Sequence, residues 1–190
     1  MIVIVSPLPA APINSMFKHL TTNFVVNAVV FQICWLACVV GSAYGLTWPS
    51  LISFVTLAVW QLHPSRRAPT DFKLLFAALI LGLLVDSLWV QIGLLEFTTQ
   101  WPSRSVAPAW ILMLWLGFAL TVNHSLAWLK AHPLLPALMG LIGGPLAYFA
   151  GLKFGAVTFA VDPLLMAASL GIAWALSMVI LVRLSHYEHS

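Results

Sequence analysis

The chain alternates between long apolar runs and short breaks rich in proline or polar residues, and hydropathy divides it into six candidate membrane spans. These predicted spans cover 23–44, 46–62, 72–95, 108–129, 134–157 and 163–184. About 20 predominantly apolar residues cross a bilayer core as a helix, so the second run, the shortest, is the marginal one. It follows the first through a tight Tyr-Gly-Leu-Thr-Trp-Pro link. Pro49, Pro108 and Pro163 each sit near the start of a run, where a helix loses nothing by lacking an N–H. The pattern therefore predicts an all-α, polytopic transmembrane bundle of six helices. Residues 1–22 are expected to form a mobile N-terminal extension, 23–184 the transmembrane domain, and 185–190 a short tail.

Composition settles the class that the pattern suggests. Hydrophobic residues make up 62% of the 190 residues and charged ones only 7%, whereas an average soluble domain carries roughly a quarter charged residues. A water-facing surface cannot be built from this inventory. The formal charge of +3 is too small and too scattered for a nucleic-acid footprint. The basic residues report topology instead. Lys18, Arg66, Arg67, Lys73, Lys130 and Arg183 share one predicted face, and only Arg104 and Lys153 fall on the other. By the positive-inside rule both termini of this multi-pass chain are expected in the cytoplasm. Trp48, Trp101 and Trp110 are expected in the interfacial belt of the opposite face, and Trp128 near the cytoplasmic one. Residues 1–15 hold three prolines and no basic residue, so they lack the n-region of a secretory signal. Met16 is an alternative start of translation. Mass analysis of the native N-terminus tests this, and an intact Met1 or Ile2 excludes it.

Asp86 is the anomaly inside this apolar frame. An acid near the middle of a span costs roughly 2.5–3.5 kcal/mol on insertion scales, so it is expected to face the bundle interior and find a partner. At about 1.5 Å per residue, Asp86, Tyr148 and Trp115 all lie about 21 Å from the cytoplasmic edge. Lys153 stands about 7 Å higher on the helix of Tyr148, within reach of a flexible stem. Asp86, Tyr148, Lys153 and Trp115 thus form a candidate polar centre, either a proton relay or headgroup site, or simply hydrogen-bonded glue between helices. Gly143, Ala147, Gly151 and Gly155 recur every four residues and predict a close helix-packing seam, to which Gly140 and Gly144 add a second small pair. Gly-Gly-Pro145 invites a kink or break in that helix.

Other constellations carry less. Asn27, Gln32, Asn123, His124 and Ser125 gather near the cytoplasmic third, with His124 expected to be a hydrogen-bonded structural residue. Cys34 and Cys38 stack on one helix face and read as buried small residues. No metal-ligand spacing, phosphate loop or nucleophile elbow is present, so neither a metal nor a cofactor is expected and no catalytic residue is assigned. Comparing the two halves reveals no internal repeat.

Together the runs Gly82…Asp86, Trp89, Gly93 and Phe97, Pro108-Ala-Trp110 through Trp115, Phe118 and Trp128, and Gly143-Gly-Pro-Leu-Ala-Tyr148 with Gly151 and Gly155 resemble a bacterial membrane family catalogued as domain of unknown function 2878. That family has no established activity to carry over. Its genes often lie near lipid-modifying enzymes of the cyclopropane fatty acid synthase kind, and the resemblance implies a role around membrane lipids. The leading expectation is an accessory or scaffold component of lipid modification, with the bilayer and a lipid-modifying enzyme as partners and no nucleic acid. A small transporter or substrate-binding component, and a membrane enzyme acting on lipid or isoprenoid substrates, are the alternatives.

Overall fold

The computed structural model describes residues 13–186, and their side chains from residue 22 onward. Six helices form the bundle among the described residues: α1 (Ile13–Ala43), α2 (Trp48–Gln61), α3 (Asp71–Gln91), α4 (Ala109–Val122), α5 (Leu135–Phe154) and α6 (Pro163–Leu184). Of the expected extension 1–22, residues 1–12 fall outside the described part, while α1 takes in the rest, including the alternative start Met16. Residues 187–190 of the tail fall outside it too. Four helices are long and apolar enough to cross a membrane, namely Thr22–Ala43 of α1 with α3, α5 and α6. At 14 residues each, α2 and α4 are only about 21 Å long.

The odd-numbered helices end alike. Gly45, Gly93 and Gly155 each have positive φ, the conformation a left-handed helix cap needs. In all three, the residue after the glycine donates back five residues: Leu46 to the Gly41 carbonyl, Leu94 to Trp89 and Ala156 to Gly151, at 2.8–2.9 Å. These are Schellman motifs. The last two feed short strands, β1 (Leu95–Phe97) and β2 (Val157–Phe159), which pair antiparallel with Glu96 opposite Thr158. The expected third and fifth spans end at Leu95 and Val157, the first residue of each strand, so hydropathy stops at the ribbon without revealing it.

The ribbon exposes a repeat that comparison of the sequence halves did not reveal. Asp86 and Tyr148 lie 62 positions apart, and the same offset maps Gly82 onto Gly144, Gly93 onto Gly155 and β1 onto β2. The bonds repeat too. Thr98 N–H donates to the Ala156 carbonyl and Ala160 N–H to that of Leu94, both at 3.0 Å. Two helix–glycine–strand units, α3–β1 and α5–β2, thus face each other across the antiparallel ribbon, each followed by a further helix, α4 or α6. Few residues coincide between them, so the likeness lies in backbone geometry.

The segment between β1 and α4 turns back into the bundle. Ala107 is buried, and its N–H donates to the Ser87 hydroxyl at 2.9 Å, one residue from Asp86. Irregular backbone at that depth needs such internal partners. Trp110, expected at an interface, is buried instead, with its indole N–H donating to the Thr99 carbonyl at 3.1 Å. Trp48, Trp101 and Trp128 are exposed. The predicted fourth span also ends early, since α4 stops at Val122 and a 3₁₀ turn, Ala127–Ala131, follows. The intervening Asn123, His124 and Ser125 turn their side chains to partners outside the helix.

Candidate functional site

Asp86 is fully buried on α3, and both its oxygens are taken. The Trp115 indole N–H from α4 donates to Oδ2 at 2.7 Å, and the Tyr148 hydroxyl from α5 donates to Oδ1. Each donor is itself locked in place. Gly82 leaves room for the Trp115 ring, which a Cβ there would approach to 2.6 Å. Trp115 stacks on Trp174 of α6 at 4.3 Å between centroids and 14° between planes. Trp174 in turn lies over Gly144, where a Cβ would stand 2.4 Å from its ring. One carboxyl group therefore joins α3, α4 and α5, while the tryptophan stack brings in α6. Three of the four candidate centre residues meet here. The fourth does not: Lys153 is exposed near the end of α5 and, among the described residues, makes no hydrogen bond or ion pair with Asp86. Its side chain projects from the bundle rather than down towards the acid.

The glycine seam also differs from the expected one. Cβ atoms at Gly143 and Gly155 would meet nothing within 4 Å, and Gly155 is the left-handed cap of α5. Gly151 faces only Val157, at 3.4 Å. The close approach to α6 runs along Gly140 and Gly144, where a Cβ would come within 2.3 Å of the Trp174 carbonyl oxygen and 2.4 Å of its ring, respectively. From the other side Gly171 of α6 lies over the Leu141 carbonyl, which Pro145 leaves without its helical donor. Despite Pro145, α5 is one continuous helix. Close packing by α6 holds it together.

Gly143, Ala147 and Gly151 instead line a groove of about 630 Å³ between α1, α4 and α5. Phe24, Phe31 and Trp35 form its α1 wall, and Leu114, Phe118 and Trp174 its floor. The Trp35 and Phe154 rings meet edge to face at 6.3 Å and bridge α1 to α5 near the ribbon end. Exposed Phe24, Leu146 and Met139 border the groove, which opens sideways where a bilayer would lie. Asp86 is not part of its wall; the Tyr148 side chain stands between.

A second polar centre lies at the opposite end from the ribbon. Asp71, absent from the sequence-based candidates because the third span was begun one residue later, is fully buried. It accepts from the Ala68 N–H at 2.8 Å, from Asn123 Nδ2 at 2.7 Å and from His124 Nε2 at 3.0 Å. Amide orientations follow one another from the far side. The Ser125 N–H donates to Asn27 Oδ1 at 3.2 Å, so Asn27 Nδ2 is the atom that donates to Gln61 Oε1 at 2.7 Å. Gln61 Nε2 then donates to His124 Nδ1 at 3.1 Å, leaving the Nε2 proton of His124 for Asp71. Lys130 Nζ closes the set on Asn123 Oδ1 at 2.5 Å. Burial holds the Lys130 ammonium below the ordinary lysine range, against the opposing pull of Asp71. His124 is thus hydrogen-bonded within the bundle. The sequence signal for Asp71 was a Thr-Asp pair at a helix start, a pattern that usually marks a cap. Replacing Asn27 with Leu leaves Gln61 and Ser125 short of partners, and a loss of about 2 kcal/mol is expected in thermal unfolding of the detergent-solubilised protein.

Four bilayer-length apolar helices, a buried acid satisfied only from within, and a lateral apolar groove define an integral membrane protein. Its family follows from the sequence: the model of the family described as protein of unknown function (DUF2878) matches residues 24–180, and the chain belongs to it. Neither the curated proteins nor the solved structures contain a match.

Proposed function

We propose that this protein binds a lipid chain in its lateral groove and serves as an accessory component of membrane lipid modification, holding or presenting that chain to a partner enzyme. The observation that carries the reading is the groove itself. Its size falls within the usual 300–1,000 Å³ of small-molecule sites, and its wall is almost wholly apolar along α1 from Phe24 to Val39. About 22 Å of helix separates those two residues, enough to lay an extended chain along the membrane normal. Gly143 offers the test, because a larger side chain there enters the groove without touching the fold. Gly143→Leu is expected to abolish co-purification of lipid, read by mass spectrometry of the extracted protein, while thermal stability holds or rises. The same lipid retained at the same ratio would rule the groove out.

The orientation goes with this reading. Both termini face the cytoplasm of a bacterial inner membrane, supported by the six-to-two distribution of basic residues. Reporter fusions at the C-terminus and within the 98–108 segment are expected to give opposite-side signals; matching signals would refute the assignment.

Transport is the second reading, favoured by the repeat. Paired parallel units about an axis along the membrane normal occur in several transporter folds, with substrate sites at the interface between the units. Here the Asp86–Tyr148 bond and the Trp115–Trp174 stack fill that interface, and the groove lies to one side. A membrane enzyme would need a reactive group in the groove wall, and Asp86 is not there.

A further inference from the structure

The groove contains an amide, Gln32, that apolar contact does not explain. Gln32 lies midway along the Thr22–Ala43 span, about 15 Å from either end. It lines the groove and is exposed, and among the described residues its amide has no hydrogen-bond partner. The contrast with Asn27, five residues earlier, is sharp. Asn27 is fully buried and bonded to Gln61, Leu120 and Ser125. An unmet amide in hydrocarbon is costly, because no water is present to satisfy it. On the facing wall Trp174 lies at the midpoint of α6. Its buried indole N–H is directed towards the Tyr148 hydroxyl but finds no acceptor in hydrogen-bonding geometry. Of the other polar side chains in the lining, Thr121 is committed to the Phe118 carbonyl, Ser125 to Asn27, Tyr148 to Asp86 and Trp110 to the Thr99 carbonyl, while the Trp35 and Trp128 indoles offer only donors. None of the side chains lining the groove is charged.

From this arrangement we infer that the occupant is a neutral single-chain lipid bearing a carbonyl or hydroxyl oxygen along its chain, held at mid-membrane depth by the Gln32 amide. The inference rests on the groove reading above and adds the chemistry of the ligand. An apolar wall on both sides of Gln32 accommodates the two hydrocarbon arms. The uncharged lining offers no counter-ion for a carboxylate or phosphate, which is why the occupant is neutral. A glutamine amide both donates and accepts, so it suits a carbonyl and a hydroxyl alike.

The experiment uses the full chain in lipid nanodiscs and native mass spectrometry with two probes of equal length, methyl stearate and its mid-chain keto derivative. Wild type is expected to bind the keto ester about 5–20-fold more tightly than the plain one, the worth of one hydrogen bond made where water is absent. Gln32→Leu is expected to retain the plain ester and lose the preference, and Gly143→Leu to bind neither. Equal affinities in the wild type, or a preference that survives Gln32→Leu, would overturn the inference while leaving the groove intact. So would a wild-type dimer that Gln32→Leu dissolves, since it would assign the amide to a second copy of the chain. Failure of the wild type to bind either ester, or unaltered binding by Gly143→Leu, would remove the groove reading itself.

Discussion

Asp86→Ala is expected to destabilise the bundle by about 3–5 kcal/mol, the largest effect of any single truncation considered. The acid accepts from two buried donors on two different helices, Trp115 and Tyr148. Removing it strands an indole N–H and a phenol in a region without water, and each unmet group costs about 1–3 kcal/mol. Packing offers no remedy. The Trp115 ring is held between Gly82 and Trp174, and Tyr148 is fixed on a helix already in contact with α6. Asp86→Asn keeps the shape and can still accept from Tyr148, but its amide N–H then faces the Trp115 N–H, so an intermediate loss is expected. Thermal unfolding in detergent micelles checks both. If Asp86→Ala melts like wild type, the carboxyl group is not the joint between α3, α4 and α5.

Gly140→Ala and Gly143→Ala are expected to move stability in opposite directions although they lie three residues apart on one helix. A methyl group at Gly140 would stand 2.3 Å from the Trp174 carbonyl oxygen and 2.7 Å from the Ala175 nitrogen, and backbone cannot step aside as a side chain can. The helices must part, which costs about 3 kcal/mol and loosens the tryptophan stack. At Gly143 the same methyl group meets nothing, and replacing an interior glycine gains about 0.5–1 kcal/mol in helix preference. Urea-independent measures suit a membrane protein best, so the comparison is made by thermal aggregation onset in one detergent. Equal effects at the two positions would show that α5 and α6 do not meet along Gly140 and Gly144.

Much of this was legible in the sequence, and the parts that were not share a physical cause. Hydropathy located all six helices, and a rise of 1.5 Å per residue placed Asp86, Trp115 and Tyr148 at one level, because both depend only on chain length and polarity. Which face a small residue presents is another matter. The four-residue spacing of Gly143, Ala147, Gly151 and Gly155 was real, but the packing face was that of Gly140 and Gly144, and only the position of α6 decides between them. Lys153 had the reach to approach Asp86, yet its direction around the helix sends it outward. The β-ribbon was hidden because Leu95–Phe97 and Val157–Phe159 are only three residues each, too short for an alternating pattern to show. Asp71 lies one residue outside the expected span, where hydropathy carries no mark of burial, whereas Ala68, Asn123 and His124 supply its hydrogen bonds.

The 62-residue offset gives the Asp86–Tyr148 bond a meaning beyond stability. Two separate, identical half-chains meeting about a two-fold axis would bring the same amino acid to both positions. Paired aspartates would repel, and paired tyrosines would lack the acid that receives both the phenol and the indole. An acid opposite a phenol is open only to halves joined in one polypeptide and free to diverge. The bond thereby gives the two units unlike roles, one holding the acid and the other the phenol.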